Sequence, residues 1–123
     1  MRKLLLQTIL ISLFMISSAF ADETKTVKVL TIGNSFVNNS LVYLTEIVES
    51  VPGHEIVSRR ANLPGASLQE HADNIKAFED DPTITPYGNN NFSLKELLLV
   101  NEWDVITIQQ VSSLSFDEES FYP

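Results

Sequence analysis

Apolar residues along the 123-residue chain fall into short β-branched runs separated by stretches of helical spacing. Val27 to Ile32 is the first run, β-branched and too short for a helix, and it predicts a buried strand ending at Gly33. Beyond it Leu41, Leu44, Ile47, Val48 and Val51 recur at helical spacing, which predicts a helix from about Asn39 to Ser50, stopped by Pro52-Gly53. Glu55 to Arg60 predicts a second strand. It leads into Ala61-Asn62-Leu63-Pro64-Gly65, where proline and glycine favour a tight turn.

Ser67-Leu68-Gln69-Glu70 has the form of a capping box and starts a helix. Its inner face is predicted to be Leu68, Ala72, Ile75 and Phe78, with Glu70, Asp73, Lys76 and Glu79 outside. Asp80 to Asn91 lacks periodicity and reads as a long loop, the best candidate for a mobile or substrate-facing segment. Ser93-Leu94-Lys95-Glu96 repeats the capping box and begins a short helix through Val100. Trp103, expected to pack against the sheet, and Asp104 introduce a third strand, Val105 to Ile108, which ends at Gln109-Gln110. The tail from Val111 to Pro123 is polar and acidic and predicts no element.

The order strand, helix, strand, helix, helix, strand has crossovers long enough for right-handed parallel connections. It predicts an α/β fold, a doubly wound parallel sheet with helices on both faces. The third strand is then an edge that a larger sheet would cover, and such edges invite association.

The first 21 residues read differently. Met1-Arg2-Lys3 is positive, Leu4 to Phe14 is almost wholly apolar, and Ala19-Phe20-Ala21 has the small-x-small form of a cleavage site. This predicts a secretory signal peptide, too short in its apolar run for a transmembrane anchor, and hence a secreted or periplasmic protein without stable membrane association after cleavage. Residues 22–26 are expected to be a flexible lead-in and 27–123 to belong to one domain. Cleavage takes two of the eight basic residues and none of the 16 acidic ones, so the mature chain is strongly acidic and nucleic acid is an unsuitable partner. The absence of cysteine excludes disulfide scaffolds, thiolate metal sites and cysteine nucleophiles.

In an open parallel sheet the ligand crevice lies beyond the carboxyl ends of the strands. Three features fall there: Gly33-Asn34-Ser35, Leu63-Pro64-Gly65-Ala66, and Gln109-Gln110-Val111-Ser112. A serine hydroxyl at a strand-to-helix turn is rigidly held, open to solvent and near backbone N–H groups that can receive an oxyanion. Each feature also has a bland reading, respectively a plain turn, a loop glycine and a polar strand end.

Gly33-Asn34-Ser35-Phe36 resembles the first block of the SGNH/GDSL hydrolase superfamily of esterases and lipases, in which a Gly-Asp-Ser turn after a strand carries the nucleophile. The resemblance implies a three-layer flavodoxin-like fold and assigns Ser35 as the nucleophile. It assigns the Ser35 and Gly65 N–H groups and a Gln109 or Gln110 amide to the oxyanion hole. Asn34, Gln110, His71 and Ser112 are candidate substrate contacts. Asn34 departs from the usual aspartate, and the glutamines from the Gly-x-Asn-Asp block. The family's Asp-x-x-His block, which carries the general base, does not occur in these 123 residues. The resemblance therefore covers the first half of the family's domain, a fold truncated after its third strand, and a chain without the base is expected to be nearly inactive.

Neither histidine is expected to replace that base. His54 starts the second strand, at the opposite end of the sheet, and His71 reads first as a helix residue at the edge of the buried face. The implied reaction is ester hydrolysis through an acyl-enzyme, with small-molecule or glycan esters as substrates, carbohydrate-linked acyl esters first among them, and neither metal nor organic cofactor. The alternative is a module on the same fold that binds a glycan or peptide without turnover. Asn38-Asn39-Ser40 and Asn91-Phe92-Ser93 fit the glycosylation acceptor pattern, which also arises by chance.

Overall fold

The computed structural model describes residues 23–122, so the predicted signal peptide lies outside the described residues. Strand β1 (Lys25–Gly33) is followed by α1 (Ser35–Leu41), α2 (Leu44–Glu49), β2 (His54–Asn62), α3 (Leu68–Asp80), α4 (Leu94–Leu99) and β3 (Val105–Ile108). The sheet is parallel throughout, in the order β2-β1-β3. The sequence-predicted α/β class is what the chain adopts.

With a neighbour on either side, β1 is the centre of the fold and its residues from Val29 to Gly33 are buried. Alternation then divides its side chains between two faces. Leu30 and Ile32 join Ala61, Tyr87, Leu94 and Leu97 in the core, against which Ile75 of α3 also packs. Val27, Val29 and Thr31 point the other way, toward α1 and α2, and line an apolar groove of about 770 Å³ with Val37, Leu44 and Ile56. The result is three layers. Among the described residues β3 is paired on one side only, and it is exposed along all four residues. Its entry is set by Asp104, whose N–H donates to the Lys28 carbonyl at 3.0 Å while its carboxylate accepts the Lys28 N–H at 2.7 Å.

Several predicted boundaries move. β1 starts at Lys25, so the last two residues of the expected lead-in belong to the sheet, where they pair with His54 and Glu55. The helix predicted from Asn39 to Ser50 is two shorter ones. It begins earlier because the Asn34 side chain accepts the Phe36 N–H and caps α1, and it breaks after Leu41, with no side chain capping α2 at Tyr43. Ser40 Oγ bonds back to the Val37 carbonyl at 2.9 Å near that break, a contact that competes with helix propagation. The break spoils the predicted face. Val37 is buried, Leu41, Leu44 and Val48 are half-buried, and Ile47 is 62% exposed.

Both capping boxes form as predicted, Ser67 with Glu70 and Ser93 with Glu96. The long loop after α3 is anchored at its middle rather than free. Tyr87 is wholly buried, and its N–H donates to the Phe92 carbonyl at 3.0 Å to close a small turn. Trp103 packs against the core as expected, its Nε1–H donating to the Leu97 carbonyl at 3.0 Å. The tail, expected to hold no element, contains a 3-10 turn at Glu118–Phe121.

Candidate functional site

The carboxyl end of β1 is where the sheet hands the chain over to α1. Gly33 occupies that end without a left-handed φ, so the sharp turn owes nothing to glycine's conformational freedom. Its missing side chain matters for space instead. A Cβ there would meet Val37 Cγ2 at 2.7 Å and Gln109 Cβ and Oε1 at 2.9 Å. Val37 and Gln109 therefore close over the Gly33 backbone from two sides. Asn34 makes the turn, extended at φ −120° as the residue capping α1, and Ser35 emerges as the first residue of that helix. Ser35 is exposed, and its Oγ makes no hydrogen bond among the described residues.

The second turn is brought to the first by Asn34. Its Nδ2 donates to the Ala66 carbonyl at 3.3 Å, and its Oδ1 accepts the Phe36 N–H at 3.2 Å. Leu63-Pro64-Gly65-Ala66 is a β-turn closed by the Ala66 N–H on the Leu63 carbonyl at 3.2 Å. Proline second and glycine third, with Gly65 at φ +74°, is the arrangement of a type II turn, in which the third residue needs a positive φ. Open space surrounds the position a Gly65 Cβ would take, so glycine serves the backbone angle and not a close approach.

The two glutamines separate. Gln110 is buried and used at both ends: its Oε1 accepts the Leu68 and Val111 N–H groups at 3.1 and 2.8 Å, and its Nε2 donates to the Ser120 carbonyl at 2.7 Å. It caps α3 and ties down the tail, and is therefore not available as an oxyanion donor or a substrate contact. Gln109 has the opposite condition. Its N–H donates to the Ile32 carbonyl at 2.9 Å, while its Oε1 lies buried against Gly33 without a partner among the described residues. Oxygen and nitrogen of an amide are interchangeable by a half-turn, so the same position can present a donor.

Of three other candidates, Asn34 and His71 are committed to contacts within the fold, and Ser112 stands in an exposed turn. Asn34 is 1% exposed and already committed to two bonds, which makes it a brace for the turns and not a substrate contact. Ser112 is exposed and its carbonyl accepts the Ser115 hydroxyl at 3.0 Å in a local turn. His71 is 2% exposed, with Nδ1 at 2.6 Å from the Tyr87 hydroxyl and Nε2 at 3.1 Å from the Gly33 carbonyl, so it does not face substrate. Burial holds its pKa below the ordinary histidine value, and burial pushes Tyr87 up to about 12. His54 pairs with Lys25 eight rows from the Gly33–Asn62 pair, about 26 Å along the sheet at the usual strand rise.

One residue of the rim was missed. Asn62 ends β2 opposite Gly33, and its Oδ1 is buried without a partner among the described residues. The signal was weak, a single polar residue at the close of a predicted strand. Among the described residues no group of histidine and carboxylate side chains is arranged to hold a metal ion.

Fold and rim define a parallel α/β protein with an exposed serine on the turn after its central strand. No family model matches the chain, and no curated protein does. It is similar to a solved structure of a DUF4886 family protein from Bacteroides uniformis ATCC 8492, at 29% identity and a TM-score of 0.64. The alignment covers 79% of this chain and 40% of that one, so the chain spans about two fifths of the length of the structure it resembles.

Proposed function

We propose that this protein is an exported serine esterase of SGNH type, acting on acyl esters through an acyl-enzyme. Ser35 Oγ attacks the ester carbonyl carbon and passes its proton to a general base. The alkoxide of the tetrahedral intermediate is received by the Ser35 and Gly65 N–H groups and the Gln109 amide. Collapse expels the alcohol, which takes the proton from the base, and water then releases the acid by the same route.

The observation that carries the reading is the Asn34–Ala66 bond, which ties the serine turn to the glycine turn at one rim, with Gln109 packed against the same Gly33. Neither histidine among residues 23–122 is placed to act as that base. His71 is committed to Gly33 and Tyr87, and His54 lies at the other end of the sheet. Carbohydrate-linked acyl esters remain the first class to try, on the strength of predicted export and the sequence resemblance.

The test is hydrolysis of p-nitrophenyl acetate, and of an acetylated glycan, by the complete protein beside Ser35→Ala. The reading requires the variant to lose at least about 1,000-fold in kcat/KM, as removal of an activated nucleophile does. Equal rates would remove Ser35 from the chemistry and leave a glycan- or peptide-binding module on the same fold.

A further inference from the structure

We propose that His71, together with Tyr87, is the positioning residue of the Ser35 turn: it pins the Gly33 carbonyl and through it the peptide from which Asn34 and Ser35 depart. This inference rests on the reading of Ser35 as nucleophile. The hydrogen-bond roles follow from elementary chemistry. A carbonyl only accepts, so Nε2, 3.1 Å from Gly33 O, carries the proton. In a neutral ring Nδ1 is then the acceptor, and the Tyr87 hydroxyl at 2.6 Å donates to it. The two rings lie nearly parallel, 12° apart with centroids at 5.7 Å.

The pair is anchored at its far end. Tyr87 is wholly buried in the cluster with Leu30, Leu94 and Leu97, so its hydroxyl cannot swing away without opening the core. Gly33 O also accepts the Leu63 N–H at 3.0 Å, which uses both of its lone pairs and fixes the plane of the Gly33–Asn34 peptide. Asn34 then braces Phe36 and Ala66, and Ser35 stands between those contacts.

Packing alone does not account for this arrangement. Leucine and phenylalanine would fill the same space without the cost of burying an imidazole and a phenol. What they lack is a donor at Gly33 O and a hydroxyl that selects the tautomer supplying it.

The test uses the complete protein with His71→Leu, His71→Gln and Tyr87→Phe, each first checked for cooperative thermal unfolding. Two readouts are taken: amide hydrogen exchange across residues 33–36, and the rate at which Ser35 is labelled by a fluorophosphonate. His71→Leu and Tyr87→Phe should raise exchange in that segment and slow labelling by about 10- to 100-fold, the loss expected from misplacing a reacting group. His71→Gln keeps a donor near the Nε2 position and should recover most of both.

A folded His71→Leu with native exchange and labelling would overturn the proposal, as would a His71→Gln no better than His71→Leu. If His71→Leu fails to fold, native behaviour of Tyr87→Phe overturns it in the same way. If wild-type Ser35 is never labelled, the nucleophile reading fails by itself, and the exchange data alone decide whether His71 holds the turn.

Discussion

The Asn34 side-chain amide and the Ala66 carbonyl meet at 3.3 Å across 32 positions of chain, and both are buried. This bond needs a donor. Aspartate, which stands at the matching position in the family that the serine turn resembles, is acceptor-only when ionised. Asn34→Asp should therefore destabilise the protein at neutral pH by about 1–3 kcal/mol, the cost of leaving a buried polar group unmatched. A protonated carboxyl can donate to Ala66, so the folded state should raise the pKa of that aspartate. Its contribution is then present at low pH and lost as pH rises through the folded value. Urea unfolding of the variant at a series of pH values reads this directly.

Gly33→Ala tests the packing reading of that glycine. The new methyl group would meet Val37 Cγ2 at 2.7 Å and Gln109 Cβ at 2.9 Å. Overpacking of this kind costs about 1–3 kcal/mol. Adding Val37→Ala should recover part of the loss, because it removes the nearer contact. A Gly33→Ala protein with an unchanged denaturation midpoint would contradict the geometry.

Stability should also depend on the protonation of His71. Burial holds its folded pKa below the ordinary value near 6.5, so between the two values the unfolded chain binds more protons. The stabilisation is complete above the ordinary value and declines as pH falls toward the folded one. The slope of stability against pH in that window should vanish in His71→Gln. Glu70, the neighbouring charge on α3, is held below the usual carboxylate range by its hydrogen bonds from the Ser67 N–H and hydroxyl, and its effect declines at more acidic pH.

The two capping boxes offer a local comparison. Ser67→Ala and Ser93→Ala each remove a cap that accepts a helix N–H, and each should cost about 1 kcal/mol. Helical circular dichroism and urea midpoints of the two single variants and the double variant would check both the size and the near-additivity.

Leu30→Ala removes the largest aliphatic side chain that is wholly buried on the central strand. A loss of about 2–5 kcal/mol is expected, enough to unfold a domain of marginal stability. Loss of the cooperative thermal transition is the corresponding observation.

Elements whose partners lie within a few residues were legible from the chain alone. Ser67 and Glu70 are three positions apart and so are Ser93 and Glu96, so their caps could be read as local chemistry and both form. The same holds for the Pro64-Gly65 turn, whose positive φ is a property of that dipeptide. The bounds of β3 were read from its β-branched run, although the strand it pairs with lies far away in the chain. The split between α1 and α2 was less accessible, because the apolar spacing continues across the break while the backbone does not.

The candidate rim shows the same division. A serine following a strand-ending glycine was visible in the sequence, as was a choice between Gln109 and Gln110. Local pattern could not separate two adjacent identical side chains. The fold does so by pointing Gln110 into Leu68 and Ser120 and laying Gln109 over Gly33.

By itself, then, the sequence determined the class of fold, the starts of α3 and α4 and the turn that exposes Ser35, since these follow from periodicity and from bonds that span three or four residues. Only the tertiary structure decided that His71 and Tyr87 belong together beneath that turn, that Asn34 braces Ala66, and that Gly33 is there for room. The hydrogen bonds among them join residues 16 to 38 positions apart along the chain, and the room at Gly33 is bounded by Gln109 from the end of β3. No local propensity encodes them, because their donors and acceptors become neighbours only after the sheet and its covering helices have packed.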